Sequence, residues 1–175
     1  MSVRRLLGAG LILALAATGC SGGDDDDDDR SGPTTTRYPP TVPVNNEQLS
    51  EGQGVCGFVN QGEVSAAAGS PVNAGSGVRT QTSELCRWTL RSSASQFVSL
   101  ILDPTGREEY DRFRNAASRT AENLPGVGDQ AFISNDTAYV LKGERLVILQ
   151  VATSQPVATR KQAATRLVTS AAGKL

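Results

Sequence analysis

The chain has 175 residues, with 17 basic and 18 acidic side chains, three cysteines and no histidine. That length holds one domain and a tether once a leader is set aside. Basic residues are scattered rather than gathered into a stripe, which excludes the usual footprint of nucleic-acid binding; the missing histidine removes the commonest general base and metal ligand.

In chain order, Arg4 and Arg5 precede an apolar run from Leu6 to Ala17. This is the layout of a secretory signal. The run stops at Thr18-Gly19, short of the roughly twenty apolar residues a spanning helix needs. With leucines and glycines after the arginine pair, the general secretory route is kept over twin-arginine export. Ala17-Thr18-Gly19-Cys20 resembles the lipobox of bacterial lipoproteins. The resemblance implies a signal peptide over 1–19, cleavage before Cys20, and a diacylated (palmitate-type) sulfur at Cys20 as the membrane anchor. Two acyl chains hold stably where one holds marginally. The expected location is the extracytoplasmic face of the cell membrane.

Residues 20–53 are rich in Asp, Gly, Ser, Thr and Pro, with eight acids and two bases. A segment so poor in apolar residues cannot offset its ordering entropy and is expected to be a disordered tether. Asp24 to Asp29 repel one another and extend it. Residues 54–175 carry ten acids and 13 bases and form the expected folded domain.

In that domain Asn60 and Glu63 make a capping-box pattern. Val64, Ala67 and Ala68 follow at helical spacing, and Gly69 ends the helix. Cys86, Trp88 and Leu90 alternate with Arg87, Thr89 and Arg91 as a half-buried strand. A second strand spans 96–102 and stops at the turn Asp103-Pro104-Thr105-Gly106. A helix over 108–122 has Tyr110, Phe113, Ala117 and Ala121 as its apolar stripe. Strands follow over 130–133, 138–142 and 145–153, and Pro156 opens a closing helix with Ala164, Leu167, Val168 and Ala171 inward. The order α-β-β-α-β-β-β-α predicts an α+β domain: an antiparallel sheet of about five strands with helices packed on one face. Cys56 and Cys86, an even pair in an exported chain, are expected to form a disulfide.

Cys56-Gly57-Phe58-Val59, Glu63-Val64 with Gly69, Cys86-x-Trp88, Leu124-Pro-Gly-Val-Gly-Asp-Gln-Ala131 and the late hairpin at Lys142-Gly143, taken with the lipobox, resemble the uncharacterised actinobacterial cell-envelope lipoproteins with a C-terminal domain of unknown function. The resemblance implies an envelope location and a paired-cysteine helix-sheet domain. It carries no reaction and no catalytic residues.

Few residues suggest chemistry. No lysine stands in a Ser-x-x-Lys context. Gly126-Val127-Gly128 lacks the rest of a phosphate loop, and Glu108 and Glu109 are adjacent on a helix, so they do not face each other. No catalytic residue, metal or cofactor is therefore expected. Trp88, Tyr110 and Phe113 are candidates to line a ligand cavity, and Arg87 and Arg91 are candidates to meet an acidic partner. The expected role is non-enzymatic binding or an accessory function in the envelope, with the membrane as partner through Cys20. An envelope protein, a wall polymer and a lipid are the ligands to weigh, and nucleic acid is not among them. The alternatives are a lipid or glycolipid carrier with an apolar cavity, or an exported enzyme of unrecognised type.

Overall fold

Alternating burial along the strands and a left-handed glycine at the end of the first helix set the architecture seen in a computed structural model that describes residues 46–175. The leader, Cys20 and the tether as far as residue 45 lie outside the described residues. Strand β1 is Glu47–Ser50, a 3₁₀ turn covers Gly54–Gly57, and helix α1 is Gln61–Ala68. Strands β2 (Ser76–Arg79), β3 (Glu84–Leu90) and β4 (Ser93–Asp103) follow, then helix α2 (Arg107–Ala116). Strands β5 (Glu122–Asn123), β6 (Gln130–Ser134), β7 (Thr137–Lys142) and β8 (Arg145–Ala152) lead to helix α3 (Val157–Ala172).

Mixed helices and an antiparallel sheet are as expected, but the sheet has eight strands rather than about five, in the order β1-β2-β3-β4-β8-β7-β6-β5. The three unexpected strands are short and polar. In β2, Gly77 is needed because a Cβ there would collide with the Leu85 carbonyl oxygen across the ladder. α2 also ends at Ala116, not at residue 122, because Glu122 and Asn123 pair with Ile133 and Phe132 as β5. The tether expected to run to residue 53 gives way to folded structure by Glu47. Leu49 is buried, and Glu47 pairs with Arg79, which also binds Glu84. One apolar residue among polar ones was too faint a signal to read as a strand.

The helices do not share one face. On the inner face, Cys86, Trp88, Val98, Leu100, Val140, Leu149 and Val151 pack against Val64 and Ala68 of α1 and against Ala164, Leu167, Val168 and Ala171 of α3. On the outer face, Tyr110 of α2 packs with Phe132, Leu141 and Leu146, and Phe113, Tyr139 and Ile148 flank them. Both clusters come from the same strands because successive side chains point to opposite sides. Having apolar residues at both parities, β6, β7 and β8 require cover on both faces.

Local signals start the helices. Asn60 accepts from the Glu63 amide, Glu63 returns the bond to the Asn60 amide, and Gly69 at φ 65° closes α1. Pro156 precedes α3, where its missing donor costs nothing. Cys56 and Cys86 are joined, with Cα atoms 5.2 Å apart, tying the 3₁₀ turn to β3. A second tie was hidden in the stretch assigned to the tether. Glu51 accepts from the Gln61 amide at 2.8 Å, the Gly75 amide at 2.5 Å and Trp88 Nε1 at 3.0 Å. One carboxylate thus holds α1, the segment before β2, and β3.

Replacing both Cys56 and Cys86 by Ala should cost about 3.5 kcal/mol, the loop-closure entropy of a link of this span, measured by urea denaturation. Glu51→Ala strands three donors and should cost about 3 kcal/mol. Glu51→Gln should cost less, and the fluorescence of Trp88 reports both transitions directly.

Candidate functional site

The outer face of the sheet is unequally covered. α2 contacts β7 and β8, and among the described residues no helix packs on the outer face of β1 to β4. The ladders show what is exposed there. Ser50 pairs with Ser76, Ser76 with Arg87, Arg87 with Ser99, Ser99 with Gln150, Gln150 with Thr137 and Thr137 with Ser134. Seven polar residues thus form one row across seven strands. Two positions along, Val78, Leu85, Ile101, Ile148, Tyr139 and Phe132 form an apolar row by the same pairings. On the other side of the polar row, Thr89 pairs with Phe97 and Phe97 with Ala152. The polar row is therefore bracketed by apolar side chains.

The groups in that row differ in what they bind. Ser134 shares a hydrogen bond with Thr120 at 2.7 Å, and Thr137 reaches only Asp136 at 3.4 Å. The exposed Arg87 guanidinium lies 4.1 Å from the centroid of Phe97, a cation–π contact. Ser99 is buried to 7 % exposure at the floor between its larger neighbours, and Gln150 is half-buried. Toward α2 the row enters a cleft of ≈ 300 Å³ lined by Phe113, Thr120, Ser134, Asp136, Thr137 and Tyr139. There the Phe113 and Tyr139 rings are 5.0 Å apart and Tyr139 stacks on Phe132 at 4.5 Å.

The residues singled out from sequence go to three places. Arg87 stands on the outer face, and Tyr110 and Phe113 face it from α2, Tyr110 being buried edge-on to Phe132 at 5.4 Å. Trp88 is fully buried on the inner face as core. Arg91 does not accompany Arg87. A register irregularity between Thr89 and Leu90 interrupts the strand's alternation, and Arg91 donates from Nε to the Val72 carbonyl and from its amide to the Pro71 carbonyl. Phe97, Ser99, Gln150 and Tyr139 were missed. Their alternation within β4, β7 and β8 was readable, but the register that aligns them was not.

A second cleft, ≈ 360 Å³, lies beside Tyr110, Arg114 and the Leu124–Ala131 segment. Its arginine is only partly engaged. Nη2 donates to Asn123 at 2.6 Å and the guanidinium lies 5.1 Å from the Phe132 ring, but Nη1 is buried without a hydrogen-bond partner. Among the described residues no three His, Cys, Asp or Glu side chains converge as metal ligands, and no helix is long and apolar enough to cross a membrane.

Burial pushes the Tyr139 phenol up, and the charge of Asp136 adds to it. Burial also raises Tyr110, with Asp111 adding and Arg114 partly opposing. Both rings therefore keep their protons in the folded chain at pH values where the unfolded chain releases them. The stability this contributes is complete below about pH 10 and is lost as pH rises through the folded-state values. Urea unfolding followed from pH 8 to 11.5 should show stability falling above pH 10, and the Tyr110→Phe/Tyr139→Phe double variant should flatten that fall.

Comparison with family models, with curated proteins and with solved structures finds no match for the chain.

Proposed function

We propose that the chain is a membrane-anchored, non-enzymatic binding protein of the cell envelope, of the kind its sequence resembles among actinobacterial lipoproteins. A lipid on Cys20 holds it at the membrane through the tether, and the outer face of β1 to β4 meets the partner. The observation that carries this reading is the contrast between the two sides of the sheet. The inner side is filled by Trp88, Val98, Leu100 and Val151 beneath α1 and α3, whereas the outer side leaves Leu85, Phe97 and Ile101 half-buried beside an exposed arginine. A sheet that faces solvent on one side normally shows polar residues there. Aromatic and aliphatic side chains around an arginine are instead the composition enriched at binding surfaces.

Export is supported from two directions. The signal layout directs the chain out of the cytoplasm. The Cys56–Cys86 bond is of a kind that persists in oxidising compartments. A binding role also agrees with the chemistry of the outer face, where the row offers hydroxyls, an amide and a guanidinium, and the neighbouring carboxylates are engaged: Asp103 accepts from the Thr105 amide in its own turn, and Asp136, in the cleft beside Thr137, is paired with Arg160 at 3.1 Å.

Cys20→Ser should release the protein from the membrane fraction into the medium, followed by fractionation and mass spectrometry of the N-terminal peptide. Retention of the unacylated variant on membranes removes the anchor from this reading. Independently, Phe97→Asp removes a half-buried ring and its contact with Arg87 and should cost about 1 kcal/mol while leaving the chain folded, as Trp88 fluorescence checks. It should abolish co-sedimentation of the full mature chain with lipid-extracted envelope fragments. Equal sedimentation of variant and parent places binding elsewhere.

A further inference from the structure

Resting on the binding role proposed above, we infer that the partner of the outer face is a linear polyhydroxylated chain, a neutral glycan. It lies across the strands along the row Ser50, Ser76, Arg87, Ser99, Gln150, Thr137 and Ser134, with one end in the cleft beside α2. Strands in a sheet are about 4.8 Å apart, so seven of them make a track of about 29 Å. That spacing is close to the advance of one pyranose ring along a glycan, so successive sugars meet successive side chains. The track does not stop at the edge of the covered half: Ser134 and Thr137 belong both to the row and to the ≈ 300 Å³ cleft.

The chemistry of the surface matches the two characters of a sugar. A pyranose presents apolar C–H faces and a rim of hydroxyls. Here apolar side chains flank a polar line on the uncovered half, with Phe97 on one side and Leu85 and Ile101 on the other. Gln150 and Arg87 are planar groups able to hold two oxygens at once, and serine and threonine hydroxyls both donate and accept. Ser99, at 7 % exposure, lies low between the larger Arg87 and Gln150 on either side of it.

Charge narrows the class. Arg87 is the row's one charged residue, and its guanidinium is held over Phe97. A polyanion along this track meets one cation in about 29 Å, far short of the paired charges that polyanion binding draws on. A protein partner is favoured by a continuous apolar centre with a polar rim, whereas here the polar row runs through the middle.

The test is affinity electrophoresis of the full mature chain, in detergent, through gels containing laminarin, xylan or dextran, with dextran sulfate and polyglutamate as polyanion probes. At least one neutral glycan should retard the protein. Inhibition by its oligosaccharides should strengthen with length to about six sugars, set by the track, and then level off. Arg87→Ala and Gln150→Ala should each weaken binding about tenfold with unchanged melting temperature, and Arg166→Ala on α3 should have no effect. Retardation by none of the three glycans overturns the inference. Neutral-glycan binding indifferent to both row variants also overturns it, by placing the site elsewhere. Binding to polyanions alone, lost in Arg87→Ala, overturns the glycan assignment while leaving the outer face as the binding surface. The sedimentation assay with Phe97→Asp judges that broader reading separately.

Discussion

The antiparallel pairing of β4 with β8 is the constraint on which the rest depends. It runs unbroken from Phe97 with Ala152 to Asp103 with Leu146 and joins two meanders, β1 to β4 and β5 to β8, into one sheet. Its register decides both faces at once. With Leu100 opposite Leu149 and Val98 opposite Val151, the inner rows are apolar across the junction; with Ser99 opposite Gln150, the outer polar row is continuous. A slip of one residue exchanges the faces, sending Val98 and Leu100 toward solvent and Ser99 into the core. The inner packing therefore locks the alignment of the outer rows.

The placement of α2 follows from the same rows. Tyr110 sits over Phe132, Leu141 and Leu146, and Phe113 meets Tyr139. The helix thus covers the apolar rows of β6 to β8 and ends at Ala116, where Thr120 in the following turn reaches Ser134 at the end of the polar row. Extending the helix over β3 and β4 would bury Arg87, Ser99 and Gln150 without partners, and an unpaired buried polar group costs about 1 to 3 kcal/mol. The polar row thus opposes complete cover of the outer face, and the two halves of one sheet acquire different roles.

Much of the fold was legible in local pattern. The capping box at Asn60 and Glu63, the alternation of Cys86, Trp88 and Leu90, and the turn at Asp103 to Gly106 each rest on a few neighbouring residues, and the structure has all three. The disulfide was legible from cysteine parity and export. Elements whose reason is non-local were missed. β1 exists because Leu49 reaches the core and Glu47 reaches Arg79, and β2 because Gly77 admits the Leu85 carbonyl. The split of the helices between two faces was likewise hidden, since a stripe such as Tyr110, Phe113 and Ala117 shows that a helix has a partner but not on which side of the sheet it lies. The candidate surface was legible only at Arg87 and at the α2 aromatics. Phe97, Ser99 and Gln150 become neighbours through the β3–β4–β8 register, which sequence periodicity does not determine.

An open, partly apolar sheet face is a liability, because contiguous apolar patches promote association. Here the liability is limited by interruption. Leu85 and Ile101 are separated from Phe97 by Arg87 and Ser99, and Arg87 itself shields one side of the Phe97 ring. The free edge is short as well: β1 has four residues and carries Glu47, in keeping with the way natural sheets blunt their edges with charge and brevity. The apolar groups on the uncovered outer face are thus interrupted and offer little to a second copy of the chain. A fully apolar face would associate more readily; a fully polar one would lack the exposed part of the Phe97 ring. The interleaved rows lie between these limits, and they do so because one central register holds them in phase.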